Sequence, residues 1–326
     1  MMRVGVIGCG LIGGKRAEAA RRGGHQVAIV ADLIPERAQA LAAAHRALAV
    51  TDWRKVVAAD IDIVIVATLH QALAEIAGAA VAAGKHVLVE KPAGSTLAET
   101  QALQQASQKH QRLVKVGFNH RFHPGILKAR RLVAEGAVGS LMFLRARYGH
   151  GGRKGYEKEW RCNPTLSGGG ELVDQGSHLI DLSRALLGDL TLDYGAAVTC
   201  YWPIAVDDNC FLALRSGSGA MAWLHASWSE WKNTFSFEIY GKTGKLTIDG
   251  LGGSYGVERL THHKMLEEMG PPETTIWEYP FPDTSWDIEF SEFVDAIGER
   301  RQPDGNIDDA VAMHALIDLV YARQPR

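Results

Sequence analysis

The sequence predicts an α/β protein of two domains. The first is an N-terminal, doubly wound parallel sheet, and the second is a C-terminal α/β domain with an open, mainly antiparallel sheet. Three observations carry this. Short Val- and Ile-rich runs alternate with Ala-rich helical stretches up to about Gly117. Beyond it, apolar segments follow one another across short Gly-, Ser- or Asp-containing links. At 326 residues the chain also exceeds the roughly 250–300 residues at which single cores stop growing.

In chain order, strands are expected at 3–7, 26–31, 61–67, 86–89 and 113–116, with helices through 37–44 and 73–83. Unbroken apolar strands imply burial on both faces, and right-handed crossovers put helices on both sides of the sheet. The boundary falls near 118–122, giving domains 1–120 and 121–326. In the second domain strands are expected at 141–148, 196–202, 210–215, 220–227, 234–240 and 245–248. Residues 216–219 and 241–244 read as glycine-bearing hairpin turns. A helix at 171–187 interrupts the strands, and His262-His263 reads as exposed loop. An amphipathic helix at 308–322 places Val311, Ala315, Leu316, Leu319 and Val320 on one face, suited to packing back on the first domain.

Composition narrows the function classes. The net charge is −2 with Lys and Arg spread along the chain, which disfavours nucleic acid as a partner. No apolar run approaches the roughly 20 residues of a membrane span. The N-terminus enters a strand without an apolar leader, and Cys9, Cys162, Cys200 and Cys210 are widely spaced. They read as buried free thiols, so a cytoplasmic protein with no metal site is expected.

Gly8-Cys9-Gly10-Leu11-Ile12-Gly13 fits the dinucleotide fingerprint, and it lies where the mechanism needs it, after a strand and at the opening of a helix. The first glycine makes the turn, the second admits the pyrophosphate, the third allows close helix–strand packing, and the helix start faces the anion. Asp32, 24 residues after Gly8, closes the second strand, where a carboxylate accepts from ribose hydroxyls. It would repel the extra phosphate of NADP, and Leu33 and Ile34 offer no cation for it, which favours NAD despite Arg37 nearby.

Two segments offer hydride-transfer chemistry, which needs a proton acceptor and donors around the developing carbonyl. Glu90-Lys91-Pro92 follows the strand at 86–89, at the carboxyl end where ligands bind open α/β sheets. Asp174 and His178 are four apart in the helix after Gly168-Gly169-Gly170, so the carboxylate can orient the imidazole as a general base. A capping Asp174 with a core histidine, or a metal pair, are the alternatives.

At these residues the sequence resembles the glucose–fructose oxidoreductase, inositol dehydrogenase and MocA-like family (Gfo/Idh/MocA). The resemblance covers nearly the whole chain through Gly8–Gly13, residues 82–92 ending in Glu90-Lys91-Pro92, residues 117–124 and residues 168–182. It implies a Rossmann domain, and Lys91 between cofactor and substrate. It further implies His178 as proton acceptor with Asp174 as partner, Asn119 and His120 facing the pocket, and Asp181 touching substrate. Thr68, His70, Glu90, Lys91 and Asn119 are then expected beside the nicotinamide cofactor. In the second domain an open sheet would form the interface of a homodimer or homotetramer, suiting Trp223 and Trp228. The sequence departs from the family pattern after Ala67-Thr68, where Leu69-His70-Gln71-Ala72-Leu73 replaces Pro-Asn-x-x-His, and at His120, where many relatives carry arginine.

The loop at 150–161 holds four cations, two acids and two aromatics, and Arg153, Tyr156, Trp160 and Arg161 are candidate contacts to a sugar-like substrate. A solvated loop anchored by its aromatics is the competing reading. The whole sequence points to an NAD-dependent oxidoreductase acting on a sugar, sugar acid, inositol or nucleotide sugar. Two alternatives stay open, a tightly bound NAD recycled within the site and a non-enzymatic NAD(H) sensor.

Overall fold

The structure is a computed structural model describing residues 1–323. The chain divides into two compact units, Met1–Phe118 with Trp286–His314, and Asn119–Ser285 with the remaining C-terminal residues. The sequence division at 120/121 therefore differs from the observed one, because residues 286–314 count with the first unit.

The first unit is built on six parallel strands, β1 (Arg3–Ile7), β2 (Gln26–Ala31), β3 (Leu48–Val50), β4 (Ile63–Val66), β5 (His86–Val89) and β6 (Val114–Val116). Their order β3-β2-β1-β4-β5-β6 reverses direction between β1 and β4, the doubly wound arrangement. Helices α1 (Leu11–Arg22), α2 (Pro35–His45), α3 (Trp53–Val57), α4 (His70–Ala82) and α5 (Leu97–His110) form the connections. Val4, Val6, Ile63, Ile65 and Leu88 are fully buried, and the core they share is completed by Trp286, Phe290 and Phe293 from a late helix.

The second unit opens with α6 (Pro124–Ala134). Its eight strands are β7 (Leu141–Gly149), β8 (Leu190–Val198), β9 (Asn209–Ser216), β10 (Met221–Ser227), β11 (Thr234–Gly241), β12 (Gly244–Asp249), β13 (Glu258–Lys264) and β14 (Glu273–Tyr279). They are ordered β14-β13-β12-β11-β7-β10-β9-β8, and only the β7–β10 pair is parallel. In β11 every second side chain, Phe235, Phe237 and Ile239, is buried, as a one-faced sheet requires. Between β7 and β8 lie α7 (Pro164–Ser167), a π-helical turn Leu172–Gly176 and α8 (Ser177–Leu187). Helices α9 (Ser285–Glu299) and α10 (Ile307–Ala322) close the chain.

Several expectations need correction. The strand expected at 196–202 is β8, ending at Val198, because the Asp208 carboxylate gathers the amides of Cys200, Tyr201 and Trp202 into a turn. His262 and His263 lie on β13, paired with β12 and β14, and are not loop. The buried stripe of α10 is Ala310, Met313, His314, Ile317 and Val320 with Leu316, while Leu319 is 45% exposed. That stripe keeps the three- and four-residue spacing of a helix, one step away from the face expected. Trp228 is fully buried and belongs to the core, whereas Trp223 is 53% exposed. Cys200 is exposed, so the thiols are free but not all buried.

Candidate active site

The first unit presents the glycine loop between β1 and α1. Gly8 has φ +93°, and a Cβ there would stand 2.3 Å from the carbonyl oxygen of Ala67. A Cβ on Gly13 would lie 1.8 Å from the Gly8 carbonyl oxygen. Both glycines are thus demanded by the protein's own backbone. A Cβ on Gly10 would meet nothing within 4 Å, so its glycine leaves open space at the uncapped start of α1. Leu11 is 79% exposed beside it, Ile12 half-buried. Asp32 follows β2, and its carboxylate accepts from the Cys9 amide at 2.8 Å and the Ile34 amide at 2.9 Å. A cradle with room for a pyrophosphate, beside a carboxylate fixed at the end of β2, fits a bound NAD.

Glu90-Lys91-Pro92 leaves the carboxyl end of β5. Glu90 accepts from the fully buried Arg16 at 2.7 Å, and Lys91 is half-buried. Thr68 is half-buried before α4, and His70 is the buried first residue of that helix.

The second unit gathers a buried polar cluster. The Gly168-Gly169-Gly170 run allows Asp207 to approach: a Cβ on Gly170 would stand 2.0 Å from the Asp207 carbonyl oxygen. The Asp207 carboxyl accepts from the amides of Gly170 and Leu172 and from the Tyr321 hydroxyl, and burial pushes its pKa up. So anchored, the chain makes the π-helical turn that carries Asp174 and then α8 with His178. The wider turn replaces the regular helical spacing expected between Asp174 and His178.

His178 stacks on His120, with ring centroids 3.8 Å apart and planes 18° from parallel. His120 Nε2 lies 3.1 Å from the Tyr148 hydroxyl, and Nδ1 lies 3.2 Å from Asn119 Oδ1. Tyr148 packs edge-on to Tyr255, whose hydroxyl accepts from Gln175 at 2.9 Å. Burial above all pushes both phenols up, Tyr255 to about 12, so they serve as neutral hydrogen-bonding groups. The Arg161 guanidinium sits 3.1 Å from Asp174, whose charge raises the pKa of Arg161.

Several of the expected site residues have partners within the protein. Asn119 is buried, donates to Ser285 and faces His120. Asp181 is 1% exposed and takes both Nε and Nη2 of Arg121, at 2.8 and 2.5 Å. Tyr156 is buried against Trp202 and Trp228 and anchors its loop. Arg153 is largely exposed and pairs with Glu159, and Trp160 is half-buried under the Arg161 guanidinium. Tyr148, Gln175, Asp207 and Tyr255 were missed. Only Tyr148 carried a signal, at the inward positions of β7 with Leu144 and Ala146.

Residues 2–118 match the oxidoreductase family with NAD-binding Rossmann fold, and residues 126–247 match the GFO/IDH/MocA C-terminal domain. Levoglucosan dehydrogenase of Pseudarthrobacter phenanthrenivorans is 29% identical over 229 residues, 61% of this chain and 58% of that protein. Inositol 2-dehydrogenase 2 of Saccharopolyspora erythraea is 34% identical over 228 residues, 68% of this chain and 65% of that protein. The matched part thus spans less than two thirds of either relative. The dehydrogenase aclE of Aspergillus oryzae is 30% identical over 322 residues, 91% of this chain and 86% of that protein. Among solved structures, levoglucosan dehydrogenase in complex with NADH and levoglucosan has the same fold. Its TM-score is 0.88 at 23% identity, over 98% of this chain and 96% of that one. The first unit is therefore an NAD-binding Rossmann domain of the oxidoreductase class. The chain belongs to the Gfo/Idh/MocA family. No helix among the described residues is long and apolar enough to cross a membrane.

Proposed function

We propose that the chain is a cytoplasmic NAD-dependent dehydrogenase that oxidises a secondary hydroxyl of a sugar-like substrate, a sugar, sugar acid, inositol or nucleotide sugar. The observation that carries the reading is the glycine loop, in which Gly8 and Gly13 answer to the protein's own backbone and Gly10 leaves open space at the start of α1. The names of the relatives, levoglucosan and inositol dehydrogenases, support a polyhydroxylated substrate.

NAD, when bound, supplies the hydride acceptor. Gly8, Gly10, Leu11, Ile12 and Gly13 would hold its pyrophosphate and Asp32 its adenine ribose, with Thr68, His70, Glu90 and Lys91 lining the rest. The chain's own residues manage the proton. His178 accepts it from the substrate hydroxyl, Asp174 stabilises the imidazolium that results, and Lys91 donates to the oxygen as it becomes a carbonyl. Arg161 holds Asp174, and the stacked His120 fixes the plane of His178.

The test is an NADH-absorbance screen with NAD and NADP against sugars, sugar acids, inositols and nucleotide sugars, beside Lys91→Ala and His178→Ala. Turnover with NAD that both variants cut to a small residual rate, with NAD binding retained, is the expected result. Bound NAD with no substrate reducing it overturns the dehydrogenase reading and favours a sensor or an internal redox cycle.

The chain also assembles, in this proposal, as a homodimer or homotetramer through the outer face of the eight-stranded sheet. Phe143, Phe211 and Trp223 lie on that face, 38%, 36% and 53% exposed, with Phe143 and Phe211 opposite Met221 and His225, the residues two positions either side of Trp223 on β10. Light scattering of Trp223→Glu should show a smaller species than the parent, and an unchanged mass removes this interface.

A further inference from the structure

We propose that Arg16 and His314 are positioning residues that hold Lys91 from both sides, an inference that rests on the reading of Lys91 as a proton-handling group. Glu90, immediately before Lys91, accepts from Arg16 Nε at 2.7 Å. Arg16 is fully buried, pairs through Nη1 with the fully buried Glu289 of α9, and stacks 4.5 Å from the Trp286 ring. Pro92, immediately after Lys91, has its carbonyl within 2.9 Å of Nε2 of His314, a 1% exposed side chain of α10. A carbonyl only accepts, so Nε2 carries the proton in this bond.

The turn between these anchors is closed by the Ala93 amide donating to the Glu90 carbonyl at 2.9 Å. Ala93 has φ +75°, a conformation that costs a non-glycine residue and persists only where its surroundings impose it. A buried ion network stabilises a fold little better than apolar packing of the same volume. Here the network, the strained alanine and the histidine converge on the three residues centred on Lys91. Their joint effect is to fix the Lys91 backbone while its side chain remains half-exposed. Arg16 also sits in the helix that the glycine loop opens, so one clamp ties the nucleotide loop to the lysine. Holding a donor in a single place is what proton-transfer geometry requires.

The test is acylation footprinting of the full chain, with and without NAD, reading the labelling rate of each lysine by mass spectrometry, beside steady-state kinetics. His314→Ala should raise Lys91 labelling about fivefold and leave lysines of the second unit unchanged, while His314→Gln, which can still donate, restores the parent rate. Arg16→Met should act in the same direction if it folds by circular dichroism. In turnover, His314→Ala should lower kcat about 10–100-fold with the Kd for NAD within about twofold of the parent. Lys91→Ala/His314→Ala should be no slower than Lys91→Ala. Unchanged Lys91 labelling in folded His314→Ala overturns the proposal, as does a double variant slowed by the full single-variant factor. Intact turnover in Lys91→Ala instead defeats the role given to Lys91, and the labelling arm still reports on the clamp.

Discussion

Gly10 and Gly13 separate two demands that the fingerprint pattern fuses. Gly13→Ala drives a Cβ into the Gly8 carbonyl and should cost about 1–3 kcal/mol of stability. Gly10→Ala adds a methyl group to open space, so its melting temperature should stay within about 2 °C of the parent. Its Kd for NAD should nevertheless rise at least about tenfold. Calorimetry and titration of both variants check this, and tight NAD binding by Gly10→Ala would refute the assignment of the loop. In the loop at 150–161, Arg153 is exposed while Arg161 holds Asp174, so Arg153→Ala should leave kcat/KM within about twofold. Arg161→Ala should lower it at least about tenfold, because it leaves a poorly exposed carboxylate without its cation. The places of Gly8, Asp32, Lys91 and His178 in the fold were legible because local pattern and element context coincide there. Arg16 and His314 were not, since an arginine and a histidine inside helices have no periodic signature until sequence-distant segments close over them.

Among the elements, the strands of the parallel sheet were largely legible because a doubly buried strand writes an unbroken apolar run. The sequences of β13 and β14, Glu-Arg-Leu-Thr-His-His-Lys and Glu-Thr-Thr-Ile-Trp-Glu-Tyr, mix polar residues into both faces and left no such trace. The π-helical turn before α8 was invisible for another reason, since the carboxylate that anchors its first residue, Asp207, lies more than 30 residues away in sequence. Across β7, β11 and β12, Glu238 pairs with both Arg145 and Lys245. Burial pushes its carboxyl up, but the hydrogen bonds from Arg145 and Lys245 outweigh this and hold its pKa down at about 2. A carboxylate so depressed contributes stability above its unfolded pKa of 4.5, and that contribution is lost as pH falls through about 2. Glu238→Gln should therefore be less stable at pH 7 by on the order of 2 kcal/mol, with a smaller loss of stability between pH 5 and 2 than the parent, both read by denaturant titration.

For the whole molecule, the decisive feature is that the Rossmann unit is discontinuous. Trp286, Phe290 and Phe293 share its core, and Glu289 neutralises Arg16 inside it. A fragment of residues 1–118 lacks these side chains, uncovers that core and takes the Glu289 carboxylate away from Arg16. It should be unfolded or aggregated by circular dichroism and light scattering. The same fragment joined through a flexible linker to residues 285–314 should recover a cooperative thermal transition and NAD binding. A folded, NAD-binding 1–118 fragment would show the late helix to be dispensable. The sequence expected the helix at 308–322 to return to the first domain, and its first half, as far as His314, counts with that unit; 285–299 was left unread because its apolar positions are spaced among acids.

That discontinuity also sets a clock on synthesis. The six strands of the first sheet are complete by residue 116, yet the aromatic residues that cover α1 are translated only from residue 286 onward. At roughly 5–20 residues per second, that interval lasts on the order of ten to thirty seconds. Throughout it the nascent chain holds an apolar face, and a buried-to-be arginine, with nothing to close over them. Ribosome-bound chains halted before residue 286 should engage holding chaperones, and chains halted well beyond residue 314 should not.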